Sequence, residues 1–313
     1  GRMRRQVEVL GMIWQNGKEV HDGKAVVSIY DSAMMFGDTA FEMERTFNKN
    51  IFKLSEHIDR LLTSIKILGI EIPYTKSDLL FAHDEYLHRM IEIFPEVEEW
   101  RFLINVTRGI LPIYQEMLED NGDPTVTIAA FPLRHVLKGK SHLYVEGVKA
   151  IIPSQRAIPH HLLDARIKSR SRQHYQVANL DVARQDPEAW ALLLDPDGLV
   201  AEGTGSNFFI VNQHKEVMTP KPINCLRGIS RQYVMSMVRP DRMIEGDITL
   251  YDIVTAREAF FTCTPYSILP CTHINGMPIG NGKVGVITYA LTQKWSQTVG
   301  INFVEQARRW DNE

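Results

Sequence analysis

The sequence predicts a mixed α/β (α+β) protein of two domains. Strand-like apolar segments come in blocks, separated by segments of helical periodicity, and do not form regular βαβ units. A chain of 313 residues can build two cores of medium size. A polar stretch with two glycines follows the first block. We therefore predict a small N-terminal α/β domain at residues 1–135, a linker at residues 136–147 and a larger C-terminal domain at residues 148–313.

The N-terminal block begins with β structure and then becomes helical. Residues 12–54 are β-rich, and Asn16-Gly17 is a strong hairpin signal. Apolar residues then recur at helical spacing, which predicts a helix from residue 54 to Gly69 and a second helix at about residues 76–93. Strands are predicted at residues 100–106 and 125–131.

The C-terminal block alternates strands with helices. Asn275-Gly276 marks another hairpin. The patterns predict strands beginning at residue 148 and at residues 190–195, 208–211 and 258–263, and helices ending near residue 184 and at about residues 228–238, 248–256 and 284–299.

Composition excludes several classes of protein. The formal net charge of −3 and the pI near 6.4 give no electrostatic reason to expect nucleic acid or an anionic membrane as a partner. No apolar run reaches the roughly 18 residues of a spanning helix, and the N-terminus lacks a signal-peptide core. The three cysteines, an odd number and scattered, indicate reduced thiols in a cytoplasm rather than disulfides or a metal site.

The stretch Leu199–Val211 is the most informative part of the chain. An apolar run ends in Glu202, a loop of small residues follows, and a second apolar run begins after Asn207. Glu202 is therefore expected near a strand end and buried. A buried carboxylate is costly unless a cation or hydrogen-bond donors face it, so we expect such groups around it.

Several other residues are candidates for chemistry, each with a simpler structural explanation. Lys168 could form a Schiff base, although most of the 35 basic residues must lie on the surface. A phosphate could be bound by Ile229 and Ser230 at a helix start, by Thr264 after a strand, and by Arg60. The simpler explanations are a helix cap for Ile229 and Ser230, a turn for Thr264 and a surface cation for Arg60. The common nucleotide, zinc-protease and serine-hydrolase motifs are absent from the sequence.

The order of these pieces resembles the class IV (fold type IV) pyridoxal-phosphate aminotransferases. That family contains branched-chain and D-amino-acid aminotransferases, (R)-amine transaminases and 4-amino-4-deoxychorismate lyase. The resemblance rests on Arg60, Lys168 and four motifs, and it covers nearly the whole chain, from Ile13 to about Val299. The motifs are Phe-Gly-Asp-x-x-Phe-Glu at residue 36, Glu-Gly-x-Gly-x-Asn-x-Phe at residue 202, Arg-Gly-Ile-Ser at residue 227 and Phe-x-x-x-Thr at residue 260.

The resemblance implies a role for each candidate. Lys168 would hold pyridoxal 5′-phosphate as a Schiff base and move the substrate proton, and Glu202 would face the pyridine nitrogen. Asn207 would contact the coenzyme or brace the loop after Glu202. The phosphate would be held by Arg60, Ile229, Ser230 and Thr264. The implied fold has a barrel-like sheet in the larger domain, and the implied assembly is a homodimer with shared active sites.

The substrate follows less directly. An amino acid, branched-chain or otherwise hydrophobic, is the default amino donor, with a 2-oxo acid as acceptor. A D-amino-acid or (R)-amine transaminase and an aminodeoxychorismate lyase remain alternatives. The D-amino-acid enzymes typically carry Arg-x-His soon after a Thr-Arg-Gly sequence. This chain has Thr107-Arg108-Gly109, but no Arg-x-His follows in the next few residues.

The carboxylate-binding features of the branched-chain enzymes are also changed. The tyrosine expected five residues after the lysine is replaced by Gln173, and the nearest tyrosine is Tyr175. Pro265 follows the phosphate-binding threonine and has no N–H to donate. The remaining candidates for substrate contact are Phe36, Tyr114, Arg170 and Arg172, any of which could also be core or surface residues.

Overall fold

The structure is a computed structural model that describes residues 11–313, which form two compact units. The first unit contains the described residues up to Leu133 together with Lys168–Ser171. The second unit contains Arg134–Ile167 and Arg172–Glu313. The predicted domain limits stay a prediction. They differ from the compact units chiefly in the segment Lys168–Ser171, which lies within the predicted C-terminal domain.

The first unit is built on a six-stranded antiparallel sheet. Its elements are β1 (Met12–Gln15), β2 (Lys18–His21), α1 (Ser32–Phe36), β3 (Thr39–Phe47), β4 (Asn50–Ile51), α2 (Leu54–Leu68), α3 (Lys76–Ile93), β5 (Trp100–Thr107), α4 (Pro112–Leu118) and β6 (Val126–Pro132). The strand order is β2-β1-β6-β5-β3-β4.

The core of this unit lies between the sheet and the helices α2 and α3. Every second residue of β5, including Phe102 and Ile104, points into it, as the period of a strand requires. Ile58 and Leu61 of α2 are fully buried against them. The predicted helices at residues 54–69 and 76–93 are confirmed, and Gly69 ends α2 with a left-handed φ of 66°.

A buried acidic residue, Glu44, shares the core face of β3. Glu44 pairs with Phe102 of β5, so both side chains point to the same side of the sheet. Neither of its carboxyl oxygens has a hydrogen-bond partner among residues 11–313. Burial, followed by the nearby charge of Glu42, raises the pKa of Glu44 to about 8. Glu44 is therefore mostly protonated at neutral pH.

The second unit is larger. Its elements are α5 (Arg134–Leu137), α6 (Leu143–Glu146), β7 (Val148–Ile151), α7 (Gln173–Gln185), β8 (Trp190–Leu194), β9 (Val200–Gly203), β10 (Asn207–Val211), β11 (Val217–Thr219), α8 (Ile229–Met237), β12 (Met243–Glu245), α9 (Leu250–Val254), β13 (Glu258–Cys263), β14 (Ser267–Ile274), β15 (Met277–Pro278), α10 (Val286–Val299) and α11 (Phe303–Asn312).

The sheet of the second unit is mixed and curled. Its strand order is β12-β11-β10-β13-β14-β7-β8-β9, with β15 paired to β14. Five strand spacings of about 4.8 Å would separate β10 from β9 by about 24 Å in a flat sheet. The connection from Gly203 to Asn207 contains three residues, which span at most about 14 Å. The sheet must therefore curl like part of a barrel, and the predicted fold class is confirmed.

Two parts of the second unit differ from the sequence prediction. The polar stretch expected to be a linker contains the short helices α5 and α6. The helix predicted at about residues 284–299 is present as α10, but a further helix that was not predicted, α11, follows it. In α11, residues at helical spacing are buried, and these are Phe303, Gln306, Ala307 and Trp310. This amphipathic pattern was a usable signal.

Within residues 11–313, no helix has both the length and the apolar character needed to cross a membrane.

Glu44 makes the stability of the protein depend on pH in a specific direction. Its pKa is about 4.5 when exposed and about 8 in the fold, so the folded state retains a proton that the unfolded state releases between these values. Stability is therefore lost as pH rises from about 5 to 8. In Glu44→Gln this loss should shrink by a few kcal/mol, since one pKa unit corresponds to about 1.4 kcal/mol.

The measurement is urea unfolding of wild type and Glu44→Gln at several pH values from 5 to 8.5. The exposed Glu85 on α3 supplies the control variant Glu85→Gln, which should follow the wild-type curve. A difference in unfolding free energy between Glu44→Gln and wild type that does not change with pH would contradict the prediction.

Candidate functional site

Lys168 lies on a short segment that pairs with the edge of β3. The Phe41 amide donates to the Lys168 carbonyl at 3.0 Å, and the Arg170 amide donates to the Thr39 carbonyl at 2.8 Å. The Lys168 amide donates to Ser64 Oγ on α2 at 3.2 Å. With its backbone fixed, Lys168 places Nζ 4.8 Å from the centroid of the Phe41 ring. The guanidinium carbon of Arg170 lies 3.5 Å from the same centroid.

Arg60 is anchored by a buried carboxylate on β3. Its Nε and NH2 donate to the two oxygens of Glu42 at 2.8 and 2.6 Å, and His57 Nδ1 lies 2.7 Å from Glu42 Oε1. Although burial opposes ionisation, the charge of Arg60 and these hydrogen bonds hold the pKa of Glu42 to about 2. Burial lowers the pKa of His57, so the neutral imidazole donates through Nδ1. The orientation of the Arg60 guanidinium is therefore fixed by its two hydrogen bonds to Glu42.

Glu202 lies on β9 and is 3% exposed, so its predicted burial is confirmed. The Tyr175 hydroxyl donates to Oε1, and the Leu226 amide donates to Oε2 at 3.0 Å. Burial and the charge of Glu202 raise the pKa of Tyr175 well above its ordinary value, which keeps the phenol a donor. In the sequence Tyr175 stands out only as a displaced tyrosine, and this contact was not predicted.

Asn207 links Glu202 to the start of α8. Its Nδ2 donates to the carbonyl of Leu226, the residue whose amide binds Glu202. Gly228 lies so close to Asn207 that a Cβ at residue 228 would overlap Asn207 Oδ1. The helix begins directly afterwards at Ile229, and the amides of a first helical turn have no partner within the helix.

Hydroxyl groups lie at the same edge of the second unit. Thr262 pairs with Asn207 across β10 and β13, and its buried Oγ1 has no hydrogen-bond partner in the part of the chain that is described. Thr264 follows in the turn after β13, and Ser230 is the second residue of α8. A helix start with amides and hydroxyls around it is the chemistry that binds a phosphate.

The predicted substrate residues have different surroundings. Phe36 is the last residue of α1 and is 70% exposed. Tyr114 on α4 packs against Tyr30 with the rings tilted, and 5.0 Å separates the ring centroids. Arg172 belongs to the second unit, where its guanidinium lies 5.3 Å from the Tyr175 ring centroid. The functional roles of all the predicted site residues stay predictions.

The chemistry of these groups indicates one coenzyme. A buried carboxylate suits a protonated ring nitrogen, and the start of α8 suits a phosphate. Pyridoxal 5′-phosphate carries both groups together with an aldehyde that reacts with a lysine amine. Residues of this chain therefore fit a pyridoxal-phosphate enzyme. Gly228 and the Thr262 hydroxyl, which has no hydrogen-bond partner within residues 11–313, fit a bound phosphate.

Comparison with known proteins establishes the family. Residues 39–274 match the family model described as amino-transferase class IV. The chain belongs to the class IV aminotransferases, and the predicted family, transaminase activity and pyridoxal-phosphate cofactor are confirmed.

Two relatives and one solved structure illustrate the match. A Methanocaldococcus jannaschii protein, provisionally named a branched-chain-amino-acid aminotransferase, is 33% identical over 90% of this chain and 94% of its own. A D-alanine aminotransferase of Bacillus licheniformis is 30% identical over 87% and 92%. The crystal structure of a branched-chain aminotransferase from the thermophilic archaeon Thermoproteus uzoniensis with norvaline is 28% identical. It matches with a TM-score of 0.76 over 92% of this chain and 94% of that one.

The close approach of Gly228 and Asn207 predicts the effect of a single methyl group. In Gly228→Ala the new Cβ would displace Asn207 or shift the start of α8, at a cost of about 1–3 kcal/mol. Affinity for pyridoxal phosphate should fall at least about 10-fold, because a shift of a few tenths of an ångström at the start of α8 weakens the hydrogen bonds from its amides to the phosphate. Gly205→Ala is the matched control, because its Cβ meets no atom within 4 Å.

Fluorescence titration of the coenzyme-free proteins measures the affinity. Equal affinities for Gly228→Ala and Gly205→Ala would show that the start of α8 does not hold the coenzyme.

Proposed function

We propose that this chain transfers the amino group of branched-chain or other hydrophobic amino acids to a 2-oxo acid, with Lys168 as the residue that attaches the coenzyme. The observation that carries the proposal is the buried carboxylate of Glu202, both oxygens of which are oriented by protein donors. Each oxygen can accept a second hydrogen bond, so Glu202 can still receive a ring N–H. The hydrophobic substrate is supported by the branched-chain relatives.

Lys168 would act twice through Nζ. When bound, pyridoxal phosphate supplies an electron sink for the negative charge left by removal of the substrate Cα proton. Lys168 Nζ first holds the coenzyme covalently and then accepts and returns that proton as a general base and acid. The Phe41 ring lies against the Lys168 ammonium group and attracts it, and the pairing with β3 fixes the Lys168 backbone.

The remaining candidates would bind and orient. Glu202 would keep the ring nitrogen protonated, and Asn207 would hold the segment between Glu202 and α8. The phosphate would be held by the guanidinium of Arg60, which Glu42 orients, and by Ile229, Ser230 and Thr264. These groups perform no bond-making step, and their contribution is preorganised charge.

A homodimer with shared active sites is part of the proposal. Exposed apolar side chains lie on α1, on α4 and on the segment before α1, and the backbone bond from Ser32 N to Gly109 O links the start of α1 to the segment that precedes α4. Six of these side chains are at least 63% exposed, a feature that marks interaction surfaces. They are Val26, Ile29, Met34, Phe36, Ile113 and Met117. A cytoplasmic location also belongs to the proposal, since the three cysteines are buried thiols.

A D-amino-acid transaminase is the second candidate, because a relative 30% identical is named D-alanine aminotransferase. The Arg-x-His of the D-amino-acid enzymes is missing, however. Arg108 cannot replace it without losing existing bonds, since its guanidinium donates to Asp38 and to the Gly69 carbonyl. Screening L-amino acids, D-amino acids and (R)-amines as donors separates the candidates, and pyruvate release from aminodeoxychorismate would indicate a lyase.

Borohydride reduction of the coenzyme-loaded protein tests the role of Lys168. Mass spectrometry of the digest should find a phosphopyridoxyl group on the Lys168 peptide of the wild type. In Lys168→Ala the label should be lost and the transamination rate should fall at least about 1,000-fold. Lys66→Ala, an exposed change on α2, should retain both. An unlabelled wild type, or a label on another lysine, would refute the assignment.

Glu202→Gln separates catalysis from stability. The variant should bind pyridoxal phosphate, but its rate should fall about 100-fold or more because the ring nitrogen loses its anionic partner. Glu258→Gln is the control. This buried carboxylate accepts bonds from Thr288 at the start of α10, so the change should lower stability and leave the rate per folded molecule unchanged. A Glu202→Gln variant that behaves like the control would contradict the proposal.

A further inference from the structure

Two cations of the first unit share one aromatic ring. Ser169 pairs with Ala40 as an isolated antiparallel bridge, so Lys168 and Arg170 on either side of it point to the opposite face, with Phe41. Lys168 Nζ and the Arg170 guanidinium carbon lie 4.8 and 3.5 Å from the Phe41 centroid, and are therefore at most about 8.3 Å apart.

The Arg170 guanidinium is oriented rather than merely exposed. It stacks on the Phe41 ring, and its NH2 donates to Asn105 Oδ1 on β5 at 3.2 Å. Phe41 is itself 7% exposed and pairs with Asn105, so the platform under the guanidinium belongs to the sheet. A guanidinium has five N–H donors in one plane and can hold Asn105 and a carboxylate together.

The two cations are close enough together for one α-amino acid to reach both. A carbon that gives its proton to Lys168 must come within about 3.5 Å of Nζ. The oxygens of a carboxylate on that carbon lie about 2.4 Å further away, and their hydrogen bonds to a guanidinium add about 2.8 Å. A path of these three steps is therefore long enough to span the separation of Lys168 and Arg170, which is at most about 8.3 Å.

We propose that Arg170 binds the α-carboxylate of the amino-acid substrate and thereby selects amino acids over amines that lack a carboxylate. The inference rests on the proposed function, in which Lys168 is the reacting lysine. Arg170 supplies the charge that two other segments do not. The segment directly after Gly109, residues 110–115, has no Arg-x-His, and Pro265 has no amide hydrogen.

The test compares two donors in the coenzyme-loaded enzyme. One is the amino acid that the wild type accepts best, and the other is the amine in which hydrogen replaces its carboxylate. In Arg170→Met, kcat/KM should fall about 10- to 100-fold for the amino acid and stay within about twofold for the amine. Arg170→Lys should restore part of the loss. Arg89→Met, an exposed change on α3, is the control and should alter neither donor.

A binding measurement supplies a readout that does not depend on turnover. It tests the role of Arg170 even where the reaction of the amine is too slow to measure. Calorimetry on the loaded enzyme compares 4-methylvaleric acid with its amide. The wild type should prefer the acid, and Arg170→Met should weaken the acid about 10- to 100-fold and leave the amide unchanged.

Several outcomes would overturn the proposal. Equal losses for amino acid and amine would make Arg170 structural, and weaker pyridoxal-phosphate binding in Arg170→Met would make it a cofactor ligand. A wild type that does not prefer the acid would also refute the role. Failure of the proposed function is distinct, because it appears in the wild type as an absence of borohydride labelling at Lys168.

Discussion

Two backbone hydrogen bonds join the segment at Lys168 to the edge of β3, and the positions of both of its cations depend on them. An antiparallel pairing sets the direction of every side chain it contains, since successive residues alternate between faces. Ser169 therefore points to the core face, and Lys168 and Arg170 point to the face that carries Phe41. A shift of one residue in this register would bury the lysine and expose the serine.

The sequence predicted the elements whose signal is local. The helices α2 and α3 have strong periodicity with clear ends, and Asn16-Gly17 supplies the positive φ values that a tight hairpin needs. The burial of Glu202 was also predictable, because one apolar run precedes it and a second follows the loop after it. The family could be recognised because its motifs are spread along the chain in a fixed order.

The rest depends on contacts that no local pattern contains. Nothing in Lys168-Ser-Arg170 suggests a strand, and its partner on β3 lies far away in the sequence. Tyr175 is displaced from the expected position, so its bond to Glu202 appears only in three dimensions. α11 was missed for a different reason: its amphipathic pattern was present, but the helix is short, and only three of its ten residues, Phe303, Ala307 and Trp310, are both apolar and buried.

The strand β3 also shows how position decides ionisation. Glu42 and Glu44 are two residues apart on the same core face, yet the pKa of the first is about 2 and that of the second about 8. Both are buried, and the difference comes from Arg60 and His57, which reach Glu42 alone by hydrogen bonds. Keeping Glu44 protonated avoids a second negative charge beside the carboxylate that orients Arg60.

The distance along the chain between β3 and its added segment affects how the protein is made. Ala40 and Ser169 are about 130 residues apart, so the ribosome completes β3 to β6 long before Lys168 emerges. Until then the first part of β3 has an unpaired edge on that side, which is where nascent sheets aggregate or pair with the wrong strand. The segment that carries Lys168 thus also closes the sheet: the first unit gains its last strand partner and the lysine proposed to react in the same late step.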